Sequence, residues 1–300
     1  MITLARFIMA GPSQAALVVA VTAILAIIMP PLAWLSGAGV ALTVLHLGPV
    51  RGLQLVGFSG LAVMGLGWMV LGTPMLAFGM FLLLWLPVWL AALVLYRSVS
   101  LALTLQLVAA MALLFVLVLQ WAYPDLQLTL RQEFTDIIQS AIDQQPTAEA
   151  RQDLETALNK VLPLLPGLLA MGMMMGVVLS LLLGRWWQAA LYNPGGLSEE
   201  FNELRLGKIP AIVSALLLAG AFLTSNILVM MLTMVALLLY VVQGLAMIHG
   251  VLALRQVNKV WLVVLYFSFF IMPQLVILPV AVVGLTDAWV DYRQRVKRAD

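Results

Sequence analysis

Few side chains in this sequence could do acid–base, nucleophilic or metal chemistry. The two histidines, His46 and His249, are not part of an H-E-x-x-H zinc motif. The chain has no cysteine, which excludes thiolate catalysis, thiolate metal sites and disulfides. The interiors of its apolar segments contain no Asp or Glu, the groups that mark proton relays through membranes. We therefore expect a protein that is not an enzyme and that has no catalytic residues, metal or cofactor.

The polar side chains best placed to bind a small molecule lie within or beside apolar segments. They are Gln54, Gln106, Gln243 and His249. A buried amide in hydrocarbon must find a hydrogen-bonding partner. Hydrogen bonds between helices are one explanation, and convergence on a cavity for a small polar molecule is the other. For His249 the corresponding alternatives are a hydrogen-bonded packing residue and a substrate contact.

Residues that could dock a partner protein fall into two groups. Ala16 and Ala20 are small residues at four-residue spacing, which lets helix backbones approach closely, either within the chain or against another subunit. The same alternatives hold for a longer stripe of small residues, Gly172, Gly176, Ser180 and Gly184. The second group is a strong turn signal, Asn193, Pro194, Gly195 and Gly196.

The elements that must position these residues are membrane-spanning helices. Hydrophobic residues make up 64% of the 300-residue chain and charged residues only 9%, whereas a soluble domain carries about 25% charged residues. The mean hydropathy is +1.09. The net charge of +2 leaves no large basic surface for nucleic acid. Segments with the roughly 20 apolar residues that a span needs are 53–71, 75–95, 101–121, 162–183, 227–254 and 260–285.

Two further apolar regions are less regular. Residues 15–45 are too long for one ordinary span, and because Pro30 and Pro31 interrupt them we expect two short spans. Residues 209–223 count as another short span. The sequence therefore predicts an all-α polytopic transmembrane bundle of about eight to ten spans. In chain order we expect N-terminal transmembrane helices (1–122), an extracytoplasmic helical insertion (123–160), a transmembrane helix (161–184), a cytoplasmic loop (185–208), C-terminal transmembrane helices (209–286) and a basic tail (287–300).

The distribution of charge predicts the orientation. Basic residues concentrate in short cytoplasmic loops, and this rule places the N-terminus and loop 185–208 inside a bacterial inner membrane. Segment 123–160, with seven acidic and three basic residues, then lies outside. The basic tail should be inside, which a single span over 260–285 does not allow. Either Pro273 and Pro279 split that segment into a re-entrant pair of half-helices, or an earlier span is miscounted.

The two polar segments between spans each predict local helices. In 123–160, one helical face carries Leu130, Phe134, Ile137, Ile138 and Ala141. Thr147 is placed to cap a second helix, which makes an amphipathic hairpin that serves as a connector or as a lid over a substrate site. In the cytoplasmic loop, Ser198 is expected to cap a short helix that starts with Glu199 and Glu200. These acidic residues argue against an anion at the helix start, and leave a structural turn or a docking site for a partner.

Three stretches carry a resemblance to a known family. They are RFIMAGPSQAAL at the start, the Asn193-Pro194-Gly195-Gly196 turn followed by Glu200-Phe201, and Gly284-Leu285-x-Asp287-x-x-x-Asp291-x-Arg293 at the last helix. With them, nearly the whole chain resembles the YybS-like family of bacterial inner-membrane proteins, in its proteobacterial form. The resemblance implies a distant relation to the S-components of energy-coupling-factor transporters. In those bundles an Ala-x-x-x-Ala pattern in the first helix docks a transmembrane coupling subunit, and Ala16 and Ala20 match it.

Two functions follow from these observations. The first is transport-related binding of a small molecule, with Gln54, Gln106, Gln243 or His249 lining an outward-facing cavity. The second is a membrane scaffold that binds a membrane or cytoplasmic protein, which predicts an interior with no cavity of about 300 Å³ or more. An intramembrane enzyme ranks third, since it needs convergent nucleophile and base groups. Because the sequence has no P-loop, any ATP-driven step needs another subunit.

Overall fold

The computed structural model describes residues 1–72, 74–124, 126–133, 139–140, 142–145 and 147–299. Every regular element in this part of the chain is a helix, which confirms the all-α fold class. The first half contains α1 (Ile2–Met9), α2 (Pro12–Leu25), α3 (Leu32–Leu47), α4 (Pro49–Leu71), α5 (Met75–Met80), a π-helical segment (Phe81–Trp85), α6 (Leu86–Ser98), α7 (Leu101–Ala122) and α8 (Leu126–Glu133). The second half contains α9 (Ala148–Val161), α10 (Leu165–Tyr192), α11 (Gly196–Asn202), α12 (Lys208–Thr224), α13 (Ile227–Leu254), α14 (Val260–Ile271), α15 (Pro273–Val290) and α16 (Tyr292–Ala299).

The N-terminal apolar region forms two helices, as its proline pair predicts. The break between α2 and α3 falls at Pro30 and Pro31. With 14 and 16 residues, both helices are shorter than the roughly 20 residues of an ordinary span. The hydroxyl of Ser36 in α3 donates a hydrogen bond to the Val19 carbonyl of α2 at 2.8 Å, which ties the pair together.

The packing of α3 against α10 is the most extensive in the bundle. Small residues allow it, since a Cβ at Gly184 would lie 2.8 Å from the Ala38 carbonyl oxygen and a Cβ at Gly37 would meet Ser180. This part of the small-residue stripe therefore packs inside the chain. Because α10 continues to Tyr192, the first residues of the expected loop 185–208 are helical.

Glycines also set the crossing of α13 and α15. A Cβ at Gly244 would lie 2.1 Å from the Val280 carbonyl oxygen, and a Cβ at Gly284 would lie 2.1 Å from the Tyr240 carbonyl oxygen. Any larger residue would force the two helices apart. The crossing therefore fixes which residues of α13 and α15 face each other towards the C-terminal ends of these helices.

The last apolar region divides at Pro273, which confirms a break there. α14 and α15 meet at Met272, whereas Pro279 lies inside α15 and does not end it. With 12 residues, α14 is only about 18 Å long. The chain then returns, and Arg293 of α16 donates to the Asn202 carbonyl at 2.8 Å. Loop and tail thus share one end of the bundle, which we call the basic end.

The polar insertion contains α8 and α9. Thr147 caps α9 as predicted, since its hydroxyl oxygen accepts a hydrogen bond from the Ala150 N–H at 3.1 Å. No residue of α9 is buried. Residues 134–138 and 141, which carry most of the expected apolar face, lie outside the described residues, as does the side chain of Leu130. The placement of this hairpin outside the membrane therefore stays a prediction.

Six helical stretches in the described ranges are long and apolar enough to cross a membrane. They are Pro49–Met69, Ala77–Ser98, Leu101–Ala122, Ala148–Tyr192, Ile227–Leu254 and Pro273–Val290. The chain is therefore a multi-pass membrane protein in contact with lipid. The expectation of about eight to ten spans is not confirmed, because it includes helices such as α2, α3 and α12 that are shorter than a full crossing.

Candidate functional site

Two of the four candidate ligand-binding residues meet at the basic end. Gln106 of α7 donates a hydrogen bond from Nε2 to the Leu206 carbonyl at 2.8 Å, and Gln243 of α13 accepts one from the Leu206 N–H at 3.2 Å. Leu206 is a buried loop residue, and an unpaired buried backbone group costs about 1–3 kcal/mol. The two amides therefore satisfy both backbone groups of Leu206, so both of them hold a loop of this chain.

A buried ion pair lies next to Gln243. The Oδ2 atom of Asp287 accepts hydrogen bonds from Gln243 Nε2 at 2.8 Å and from Arg293 Nη2 at 2.6 Å, while its Oδ1 accepts from the Tyr292 N–H at 3.1 Å. Asp287 is 5% exposed and Arg293 is 4% exposed. Burying two charges is costly unless further hydrogen bonds offset the lost hydration, and these contacts provide them for the carboxylate.

This ion pair was not expected from the sequence, in which Asp287 lies at the last helix end and Arg293 in the basic tail. The sequence does place an acidic residue, Asp287, and a basic residue, Arg293, shortly after Gly284, and this was the only local sign of a pair. The close crossing of α13 and α15 at this glycine brings Gln243 to Asp287, and only the fold reveals it.

Two further ion pairs fasten the loop that follows α10. Arg185 binds Glu200 of α11 through two hydrogen bonds, and the bond from its Nε is 3.1 Å long. Arg205 donates to Asp291 at 2.5 Å. The side chain of Arg185 is 9% exposed and that of Arg205 is 48% exposed, so solvent screens the second pair far more. The loop is therefore attached to α10 on one side and to the end of α15 on the other.

The candidate docking turn sits at the start of this loop. Asn193, Pro194 and Gly195 are exposed, whereas Gly196 is buried. Gly195 has a φ of 93°, a left-handed conformation that favours glycine. Because α11 already begins at Gly196, Ser198 lies inside the helix and the prediction that it caps the helix is wrong. The turn thus presents three exposed residues on an anchored loop.

The remaining candidate ligand-binding residues lie apart from each other. His249 Nε2 is 2.9 Å from the Tyr266 hydroxyl oxygen, and its ring meets Phe201 edge-on with 5.5 Å between centroids. These contacts join α13 to α14 and α11, as expected of a packing residue. Gln54 accepts a hydrogen bond from Arg51 at 3.3 Å and lines a cavity of about 280 Å³ beside α1 and α2. The four candidates therefore do not converge on one cavity.

The alanine pair of the first apolar helix faces the interior. Ala20 is 5% exposed, and Ala16 is half-buried against the core. The Ala16 carbonyl accepts a hydrogen bond from the Ser59 hydroxyl of α4 at 3.4 Å. Docking of a coupling subunit at these alanines stays a prediction, and Ala20 offers little surface for it.

A large apolar cavity lies between α4 and the α5 region. It has a volume of about 800 Å³, and its walls include Leu53, Gly57, Leu61 and Met64 of α4 and Phe78 and Phe81 opposite them. A Cβ at Gly57 would meet nothing within 4 Å, so helix packing does not account for this glycine. None of the four polar candidates lines the cavity. We call it the α4–α5 cavity. The glycines of α4 were its signal in the sequence, whereas the candidate residues were chosen for their polar side chains.

The cavity walls determine what chemistry the site supports. All the described residues that line the α4–α5 cavity are apolar, so this part of the chain offers hydrophobic contact and no acid, base or nucleophile there. Across the ranges that the structure describes, no group of three or more His, Asp or Glu residues could hold a metal ion. The arrangement suits an apolar guest.

Comparison with known proteins places the chain in one family. Residues 16–288 match the family model described as "Predicted membrane protein (DUF2232)". No curated protein and no solved structure matches the chain. The match covers almost all of the 300 residues, and the six candidate spans agree with its description. The chain therefore belongs to the DUF2232 family of membrane proteins.

Proposed function

We propose that this protein binds an apolar small molecule in the α4–α5 cavity and takes part in its transport. The observation that carries the proposal is the cavity itself. Its volume of about 800 Å³ lies within the roughly 300–1,000 Å³ of small-molecule sites. The cavity is open to the surface of the bundle, since Leu61 is 64% and Phe78 58% exposed, so a guest can reach it without a rearrangement of the fold.

The walls of the cavity define the class of ligand. A polar or charged molecule would lose its hydration on entry and find no hydrogen-bonding partner among these residues. An apolar molecule, or the hydrocarbon part of an amphipathic one, loses nothing in this way. Because α4 includes the candidate span Pro49–Met69, such a molecule can enter from the bilayer. The ligand is thus apolar, in contrast to the polar ligand that the amides suggested.

The finer assignment is part of the same proposal. We place the chain among the YybS-like proteins of the bacterial inner membrane, with a distant relation to S-components that bind substrate for a separate ATP-driven subunit. The support is the sequence resemblance together with a cavity and no P-loop. The basic residues gathered at one end of the bundle favour a cytoplasmic location for that end. Binding without catalysis agrees with apolar cavity walls, and we propose that the chain is not an enzyme.

Filling the cavity tests the proposal. The full chain is purified in mild detergent, and co-purifying apolar molecules are identified by native mass spectrometry. Gly57→Leu places a side chain in the cavity, and we expect retention of the bound molecule to fall about tenfold or more, equal to about 1.4 kcal/mol of lost binding. Gly65→Leu is the matched control, because a Cβ there also meets nothing within 4 Å but Gly65 does not line the cavity. Equal retention by both variants and the unchanged protein would refute cavity binding.

A membrane scaffold is the second candidate, favoured by one observation. The exposed turn of Asn193, Pro194 and Gly195 belongs to a loop that the bundle holds by two ion pairs, as a docking surface requires. A stoichiometric protein partner that is lost on Asn193→Ala but kept on Asn258→Ala, another exposed loop asparagine, would favour this function. Loss with both variants, or with neither, would count against it.

A further inference from the structure

A second pocket lies at the basic end, and unlike the α4–α5 cavity it is lined by charged residues. It has a volume of about 470 Å³ and lies among α11, the end of α13 and α16. Its charged walls are Glu199, Glu203, Arg205, Arg293 and Lys297. We call it the charged pocket. It combines three basic and two acidic side chains in a space large enough for a small molecule.

One wall of the charged pocket has an unused hydrogen-bond donor. Arg293 is 4% exposed, and its two terminal nitrogens donate to the Asn202 carbonyl and to Asp287. Its Nε has no partner. Because Nε itself is buried, an acceptor bound in the pocket would reach it only after a small shift of the Arg293 side chain, and the new bond would then satisfy the unpaired donor. A phosphate oxygen is such an acceptor, and arginine is suited to phosphate recognition.

The other charges of the pocket are unpaired or exposed. Lys297, Glu199 and Glu203 take part in no ion pair within the ranges that the structure describes. Glu199 and Glu203 are both exposed and lie one helical turn apart, so their carboxylates share one side of the pocket. Two carboxylates attract a cation and Lys297 attracts an anion, while Arg205 and Arg293 line the pocket with their charges already paired to Asp291 and Asp287. The walls therefore match a ligand that carries both signs.

The floor of the pocket connects it with the membrane. Gly250, Ala253 and Leu254 belong to the last turns of α13, which is a candidate span. A polar ligand in this position lies at the depth of lipid headgroups, and basic pockets between spanning helices are known to bind such groups.

We propose that the charged pocket binds a phosphoethanolamine group, with its phosphate towards Arg293, Arg205 and Lys297 and its ammonium towards Glu199 and Glu203. The group comes either from a phosphatidylethanolamine headgroup or from a soluble phosphoethanolamine. This site is independent of the α4–α5 cavity and of the function proposed for it.

The test uses the full chain, stripped of lipid in detergent and titrated with defined ligands under native mass spectrometry. The ligands are phosphatidylethanolamine, phosphatidylglycerol, which has a phosphate but no amine, and soluble O-phosphoethanolamine. We expect phosphatidylethanolamine to bind about tenfold more tightly than phosphatidylglycerol, since only its ammonium can donate charge-assisted hydrogen bonds to Glu199 and Glu203. Soluble phosphoethanolamine that binds and displaces the lipid identifies a soluble ligand; lipid binding without such displacement identifies the headgroup.

Substitutions locate the binding in this pocket. The double variant Glu199→Gln with Glu203→Gln should abolish the preference for the amine, and Lys297→Gln should weaken binding of both lipids by about tenfold. Matched controls are Glu149→Gln with Asp153→Asn, an exposed acidic pair one turn apart on α9, and Lys160→Gln. Binding of phosphatidylglycerol as tight as that of phosphatidylethanolamine, a preference that survives the double variant, or no binding of any of the three ligands would each overturn the proposal.

Discussion

Glycines have opposite effects on packing in two regions of this bundle. At the crossing of α13 and α15, Gly244 and Gly284 bring the backbones so close that a Cβ at either would lie 2.1 Å from a carbonyl oxygen. On α4, a Cβ at Gly57 or Gly65 would meet nothing within 4 Å. The first region is closed by the chain's own contacts, and the second leaves space for something else. Glycine in an apolar helix therefore does not by itself indicate helix packing.

The close crossing of α13 and α15 also brings polar groups together, in contrast to the exposed glycine face of α4. It brings Gln243 and Asp287 together, and with them the loop residue Leu206 and the buried Arg293. Where the structure describes the lining of the α4–α5 cavity, every residue is apolar. The closed region is thus specified by hydrogen bonds as well as by shape, and the open region by shape alone.

Removing the buried carboxylate should have the largest effect. In Asp287→Ala the guanidinium of Arg293 stays buried without its anion, and we expect the free energy of unfolding to fall by about 3–5 kcal/mol. Chemical unfolding in mixed micelles measures it. Arg205→Ala is the control, because it breaks an ion pair whose arginine side chain is 48% exposed, and it should cost no more than about 1 kcal/mol. Similar losses in both variants would show that burial does not distinguish the two pairs.

Adding one methyl group to the crossing should have the next largest effect. In Gly284→Ala the new Cβ collides with the Tyr240 carbonyl oxygen, so the helices must shift. We expect a loss of about 1–3 kcal/mol in the free energy of unfolding. The thermal midpoint in detergent provides an independent measurement. A variant as stable as the unchanged protein would show that the crossing is looser than its glycines indicate.

Removing a buried amide tests a hydrogen bond that holds the loop at Leu206 to the bundle. Gln106→Ala leaves the Leu206 carbonyl without its side-chain partner, at a cost of about 1–3 kcal/mol at most. Gln54→Ala removes an exposed amide that accepts a hydrogen bond from the exposed Arg51, and it should change the free energy of unfolding by less than about 0.5 kcal/mol. Unfolding of both variants under the same conditions checks the difference, and a larger loss at Gln54 would contradict it.

The same methyl addition on the open face should have the smallest effect and the opposite sign. Gly65→Ala meets no neighbouring atom, and alanine is favoured over glycine within a helix by about 0.5–1 kcal/mol. We therefore expect a small rise in the thermal midpoint, against the fall expected for Gly284→Ala. A fall at Gly65 would mean that the open face contacts another molecule in the purified protein.

Local signals in the sequence predicted several elements well. Pro30 and Pro31 separate α2 from α3, Pro273 separates α14 from α15, and Thr147 caps α9. Each depends on backbone chemistry within a few residues, which a single sequence contains. Ser198 does not cap α11, because the turn at Gly195 starts the helix already at Gly196. One local signal, the turn, thus overrode another, the capping serine.

The candidate site was harder to predict, because its contacts join residues far apart in the chain. Gln106 and Gln243 were recognised as buried amides in need of partners, but the partner they share is the backbone of Leu206. Asp287 and Arg293 looked like a helix end and a tail, because nothing in the local sequence shows that Gln243 and Asn202 lie beside them. The expected cavity for a polar molecule stays a prediction: Gln106 and Gln243 bind the chain itself, whereas Gln54 lines a separate cavity.

The amino-acid order by itself determined that this is an all-helical protein of the membrane, because 64% hydrophobic and 9% charged residues cannot cover a surface in water. It also determined two helix breaks, at Pro30–Pro31 and at Pro273, because proline acts locally. Only the tertiary structure decided which glycines close a helix crossing and which border a cavity, and which charges are buried. Those outcomes depend on which helices become neighbours, and no short stretch of sequence contains that information.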